Sequence, residues 1–202
     1  MEKVFQLESS TIIDGKNSYI QAYPHILNAL ASSPMLTEQD FICGAHMVYG
    51  WMPTILEIYA SQPGEISHGV ALLNKARTQG VLTYCELSSL AQLVNRSFVG
   101  ASKLLHFVNP QAFAIWDSRI YRFIHGNTPH QYRVNNAAIY EKYLQILFRL
   151  KQDKRFPAFH TSVNRKMGYP VSALRALEVV MFLNGTKDTK PLEPEPLAVA
   201  AG

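Results

Sequence analysis

The stretch LAQLVNRSFVGASKLLHFVNPQAFAIWDSRIYR, residues 90–122, carries most of what this chain discloses about itself. Leu90, Ala91 and Val94 close one apolar helical pattern, and Ala101–Val108 form a second, so two helices flank a short turn at Asn95–Gly100. The second helix presents Lys103 about one turn from its start. Gly100 has no Cβ, which lets the backbone N–H groups at that helix start approach a phosphate closely, with Ser97 and Ser102 as further donors. After Pro110, the apolar residues Phe113, Ile115 and Trp116 run into Asp117. An aspartate immediately before a helical pattern is an N-cap, and capping fixes the direction of its carboxylate.

Working outward, helical signals dominate on both sides. Thr83 and Glu86 make a capping box ahead of Leu87 and Leu90, and Thr37 with Asp40 is a variant of it that opens a helix through Phe41, Ala45, Val48 and Tyr49. Asn17 to Ser32 has helical spacing, and Pro24 inside it predicts a kink or restart. In the junction Gly50-Trp51-Met52-Pro53, the proline suits the first turn of a helix over Ile55, Leu56 and Tyr59. Pro63 to Gln79 starts in the same way, and Gly80 stands where a C-terminal cap belongs. Further helices are expected at Ser118–His125, Ala137–Lys151 and Val171–Asn184, while Val4 to Leu7 suits a short extended piece. The reading is an all-α domain over residues 1–185, single or divided into two helical subdomains around a cleft. Residues 186–202 carry Pro191, Pro194, Pro196 and alternating acids, the composition of a flexible tail.

Composition narrows the function classes. With 202 residues, 48% hydrophobic and 17% charged, the chain can bury a continuous core, which excludes a mainly disordered protein and a large multidomain machine. The net charge of +4 conceals an asymmetry. Arg96 to Arg175 holds thirteen Lys/Arg and three Asp/Glu, a net +10, and the remainder holds six and twelve, a net −6. Regional basic charge is expected where one face meets a polyanion. Cys43 and Cys85 stand alone in apolar segments, which argues against a disulfide framework or a cysteine metal site. No apolar run of signal-peptide or membrane-span type is present, so the expectation is a soluble cytoplasmic protein with no membrane partner, no metal and no cofactor.

The hairpin with Lys103 followed by the N-cap Asp117 resembles the helix-hairpin-helix DNA glycosylases, most closely the bacterial 8-oxoguanine glycosylase-like proteins. That family lays a hairpin ending in Gly-x-Lys on the DNA backbone, with the lysine as nucleophile, and delivers a catalytic aspartate at the start of the next helix. Here one glycine is present, and two residues separate it from the lysine. The resemblance implies a helix-hairpin-helix glycosylase-like helical fold, Lys103 and Asp117 as catalytic residues, and Arg96, Ser97, Gly100, Ser102, Arg119 and Arg122 against DNA. A second, shorter match covers Leu174 to Phe182: it resembles the helix on which the 8-oxoguanine enzymes carry a Gln and, four residues on, a Phe that stacks on the flipped base. Glu178 and Phe182 occupy those positions, and Phe107 and Trp51 complete the implied base-binding set. The implied partner is double-stranded DNA with one base flipped out, bound by a monomer. The implied reaction is excision of a damaged or modified base, an 8-oxoguanine-like purine above all, by lysine Schiff-base chemistry that also permits strand cleavage.

Each of these residues has a plainer reading. Lys103 alone is an ordinary helix lysine and Asp117 an ordinary cap; Phe182, Trp51 and Met52 are core candidates, and Glu178 is a partner for Arg175. His106 reads as a satisfied structural histidine, and His125, His130 and His160 lack the carboxylates a metal would need. Arg149, Lys151, Lys154, Arg155, Arg165 and Lys166 follow either a phosphate track or plain solvation. Three other functions stay open on sequence: a glycosylase acting on a modified phage base, a non-enzymatic helix-hairpin-helix DNA-binding module, and a helical protein-interaction domain.

Overall fold

Side-chain caps set the boundaries of most of the helices. The computed structural model describes residues 2–51 and 55–186, and all regular structure among them is helical. The helices are α1 (Lys3–Glu8), α2 (Ser18–Ala31), α3 (Glu38–Trp51), α4 (Glu65–Gln79), α5 (Tyr84–Leu93), α6 (Phe98–Val108), α7 (Ser118–His125), α8 (Gln131–Val134), α9 (Ala137–Lys151), α10 (Phe156–Met167) and α11 (Ala173–Asn184). The Thr83–Glu86 capping box forms in both directions, and Asp117, Asn136 and Ser172 cap α7, α9 and α11 through their side chains. Gly80, Gly126 and Gly168 end α4, α7 and α10 in the left-handed region.

Two helices are buried along almost their whole length and organise the rest. α6 is jacketed by α2, α3, α4 and α5, and α11 by α1, α7, α9 and α10. The hydrophobic core runs without a break from Val4 to Met181. Among the described residues no helix is long and apolar enough to cross a membrane.

Several expectations need correction. Val4 to Leu7 lies in helix α1 and is not extended, because the core wants one face of it: Val4 is fully buried and Phe5 meets the ring of Phe159 edge-on at 5.3 Å. Residues 55–59 are not helical. Tyr59 N–H donates to Leu93 O and Asn95 N–H to Glu57 O, so this segment pairs with the α5–α6 turn, Ile58 bridging to Val94. Met52 and Pro53, read as a core candidate and a helix start, lie outside the described residues, as does the tail beyond Thr186. α2 continues through Pro24 without a restart. A proline there leaves the carbonyl of Ile20 without its helical donor, and the Tyr169 hydroxyl supplies one at 2.6 Å. α8 and α10 were not anticipated, although Pro157 in the first turn and Gly168 just past the end mark α10 plainly.

Candidate active site

The turn between α5 and α6 is built without a glycine in the left-handed region. Asn95 and Arg96 take positive φ, 57° and 47°, the first of them a residue type that tolerates this conformation. Asn95 is held by both ends of its side chain, Oδ1 accepting from Glu57 N–H and Nδ2 donating to Ile55 O. Arg96 stays exposed with its guanidinium 4.1 Å above the Tyr59 ring. Gly100 is corrected here: it is the third residue of α6, buried, and a Cβ on it would lie 1.8 Å from the Tyr49 hydroxyl. Its role is close packing of α6 on α3, not approach to a phosphate.

Phe113 to Trp116 form a buried extended segment, and unpaired buried carbonyls are costly. Four consecutive carbonyls are each met by a side chain. His106 donates to Phe113 O at 2.8 Å, Tyr140 to Ala114 O at 3.1 Å, Tyr143 to Ile115 O at 3.1 Å and Ser102 to Trp116 O at 3.3 Å. Trp116 N–H returns a bond to Ser102 Oγ at 3.0 Å. Ser102, expected to donate to DNA, is fully buried: its one hydroxyl proton is shared between Val99 O at 3.0 Å in its own helix and Trp116 O, and its Oγ is held by the Trp116 N–H. The consequence for the site is geometric: Ser102 precedes Lys103 and Trp116 precedes Asp117, so one hydroxyl ties the backbones of the two candidate catalytic residues together. His106 needs Nδ1–H for its carbonyl bond, so Nε2 accepts from the Tyr23 hydroxyl at 2.8 Å; burial pushes its pKa down to about 3 and keeps it neutral.

Lys103 and Asp117 face one open cleft of about 440 Å³, with Ser97, Val99, Ser118, Pro129, Gln131, Val134 and Asn135 as its other walls. Both are nearly buried, 6% and 7% exposed. Asp117 Oδ1 accepts from Arg119 N–H at 2.8 Å and Ile120 N–H at 2.9 Å, which leaves Oδ2 without a protein donor among the described residues. Among the same residues Lys103 makes no salt bridge. Burial pushes its ammonium down to about 8, against the pull of Asp117 and Glu178. At neutral pH about one Lys103 in ten is then the free amine, a few hundred times more than for an ordinary lysine.

Glu178 and Phe182 do not share a base-reading face. Glu178 is fully buried on α11 in an ion pair with Arg175, and burial raises its carboxyl above the usual range against the pull of that arginine. Arg175 is caged by Tyr23, Tyr19 and Trp51, its Cζ 4.8, 5.4 and 5.7 Å from their ring centres. A carboxylate held in that cage is not placed against a base edge. It bears on the site through its field, felt by Lys103. Phe182 is half-buried and lines a different hollow, with Tyr19 parallel to it at 6.0 Å and the Arg119 guanidinium 4.6 Å above its ring. Trp51 stacks on Tyr19 at 4.0 Å and donates to its carbonyl, and Phe107 is buried edge-on against Trp51. Phe107 belongs to the core, Trp51 is half-buried against it, and neither lines the Lys103 cleft. Sequence reasoning missed Gln131 and Asn135 in the cleft wall and Tyr140 and Tyr143, which hold the segment leading into Asp117. No local pattern marks them, since each reaches the site from a distant element.

The basic residues divide into engaged and free. Arg155 is spent on Asp153 and Glu2, Lys166 on Glu8, and half-buried Arg122 fastens the end of α11 through Gly185 O at 3.0 Å. Arg119 stands exposed over Phe182 in the other hollow, and Ser97 lies in the wall of the Lys103 cleft with Oγ 3.5 Å from Asn135 Oδ1. Among the described residues no cluster of three His, Cys, Asp or Glu side chains is arranged to hold a metal ion. Compared with protein families, with curated proteins and with solved structures, the chain matches none.

Proposed function

We propose that this chain is a helix-hairpin-helix DNA glycosylase that removes a damaged or modified base through a Schiff base on Lys103. The observation that carries the reading is the pairing of a buried lysine without a salt bridge and a backbone-capped aspartate across one cleft, their backbones tied by Ser102. A lysine kept partly neutral is a nucleophile; a partnered surface lysine is not. The free amine of Lys103 attacks C1′ of an extruded nucleotide and forms the N–C1′ bond. The glycosidic bond breaks, its electron pair leaves with the base, and the base takes the proton given up by the attacking nitrogen. Opening of the sugar yields the Schiff base, from which elimination of the 3′-phosphate cleaves the strand. Positive charge develops on the sugar in the first step, and the free Oδ2 of Asp117 stabilises it without reorganisation because Oδ1 is already anchored. Arg96, next in sequence to the cleft residue Ser97, and Arg119, two residues after Asp117, are exposed; they neutralise phosphates and add affinity without sequence preference.

The test is borohydride trapping on a panel of duplexes carrying modified bases, 8-oxoguanine and modified phage-type bases among them. The parent protein forms a covalent adduct, Lys103→Gln forms none, and Asp117→Asn releases base at least a hundredfold more slowly, in the range expected when one electrostatic stabiliser is lost. An adduct that survives in Lys103→Gln refutes the assignment of the nucleophile. Salt-sensitive duplex binding with no base released from any member of the panel identifies a binding module instead.

A further inference from the structure

Between Asp117 and Glu141 the chain carries no acidic residue, while Arg119, Arg122, Arg133, His125 and His130 all fall there. The short helix α8 stands on the rim of the Lys103 cleft, to which Gln131 and Val134 contribute walls. Its Tyr132 is 66% exposed, an aromatic ring offered to solvent rather than to the core. The His130 imidazole lies nearly parallel to that ring, at 10° and offset with centres 5.8 Å apart, and Arg133 Cζ stands 5.8 Å from the ring centre. The hydroxyl accepts from Arg133 Nε at 3.2 Å, and Arg133 Nη1 donates to the Tyr121 hydroxyl at 3.0 Å. Tyr121 in turn packs against the His125 ring at 4.2 Å. Ring and guanidinium are therefore held in place before any ligand arrives, which lowers the entropic cost of stacking onto them.

We infer that Tyr132, with His130 and Arg133 beside it, is a stacking platform for an unpaired base of single-stranded DNA. A ring lying open on the surface can take a base only if that base has a free face, and bases inside a duplex have none. Arg133, bonded to the ring's hydroxyl, supplies positive charge for a phosphate next to such a base. This site needs no chemistry at Lys103 and goes beyond the proposed excision reaction. It gives the protein a grip on strand that has lost its pairing next to the cleft.

The probes are a fluorescein-labelled oligothymidylate, read by anisotropy, and a single strand carrying 2-aminopurine, whose fluorescence is quenched when it stacks. The parent binds both and quenches the second. Tyr132→Ala weakens single-strand binding about tenfold and abolishes the quenching. Tyr132→Trp retains both, and duplex binding is the same in all three proteins. The inference is overturned if Tyr132→Ala binds and quenches like the parent, if the parent does not bind single strands, or if RNA of the same sequence binds more tightly than DNA. Because none of these readouts involves a covalent adduct, their outcome is independent of the trapping experiment.

Discussion

Replacing Lys103 by methionine should make the protein more stable, and the gain should depend on pH in one direction only. Methionine keeps the length and most of the volume of the lysine stem and removes the charge that burial penalises. The ammonium is pushed from 10.5 down to about 8. One unit corresponds to 1.36 kcal/mol, so holding the charged form in the fold costs about 3 kcal/mol at pH 7. The pull of Asp117 and Glu178 is already included in that shift. Since the folded value lies below the unfolded one, the unfolded chain carries the extra proton between pH 8 and pH 10.5, and the parent gains stability as pH rises through that window. Below pH 8 the penalty is complete. Urea unfolding of parent and variant at pH 7 and pH 10.5 isolates the effect, because every other titration is common to both proteins. The variant should be about 3 kcal/mol more stable at pH 7, or about 6–12 °C higher in Tm for a chain of this size, and the gap should close at pH 10.5. A variant less stable than the parent at pH 7, or a gap unchanged at pH 10.5, would show that Lys103 is an ordinary partnered lysine. A buried cation that costs stability is the kind of feature retained for chemistry rather than for folding.

Other perturbations test the surrounding frame. Ser102→Ala leaves the buried Trp116 N–H without an acceptor and should cost about 1–3 kcal/mol in urea unfolding, with Ser102→Thr, which keeps the hydroxyl, recovering part of it. Gly100→Ala drives a methyl into Tyr49 and should cost about 1–3 kcal/mol; adding Tyr49→Phe, which removes the nearest atom, should return a measurable share, and no return would place the strain elsewhere. His106, held neutral with its pKa at about 3 by burial, makes the fold acid-sensitive. The unfolded chain takes the proton first as pH falls below about 6.5, so stability drops from there down to about pH 3. His106→Gln should flatten that limb when unfolding free energy is measured across the window.

The all-α class and most helix boundaries followed from local chemistry. Caps at Thr83 and Asp117, the glycine stop at Gly80 and apolar spacing act within a few residues, so short windows reveal them. Asp117 is legible as a helix cap for the same reason, whereas α6 begins at Phe98, three residues before the expected Ala101, and so carries Lys103 in its middle. The failures came where distant partners override local preference. Pro24 sits inside an unbroken α2 because Tyr169, 145 positions later in the chain, supplies the missing donor. Residues 55–59 abandon a helical pattern to pair with Asn95. Gly100 read as a phosphate glycine until the hydroxyl of Tyr49 filled the space beside it.

The basic surplus between Arg96 and Arg175 is written in the chain, and so is the order of a hairpin lysine followed by a capping aspartate. Which cations remain free is not, since Glu2 and Glu8 reach across from the first helix to occupy Arg155 and Lys166. Nor does the spacing of Glu178 and Phe182 along one helix disclose that the first is caged with Arg175 and the second lines a separate hollow. Periodicity assigns a residue to a face of its own helix. What lies opposite that face depends on how helices far apart in the chain pack, and that packing alone gives Lys103 a low dielectric, no salt bridge among the described residues, and Asp117 in the same cleft.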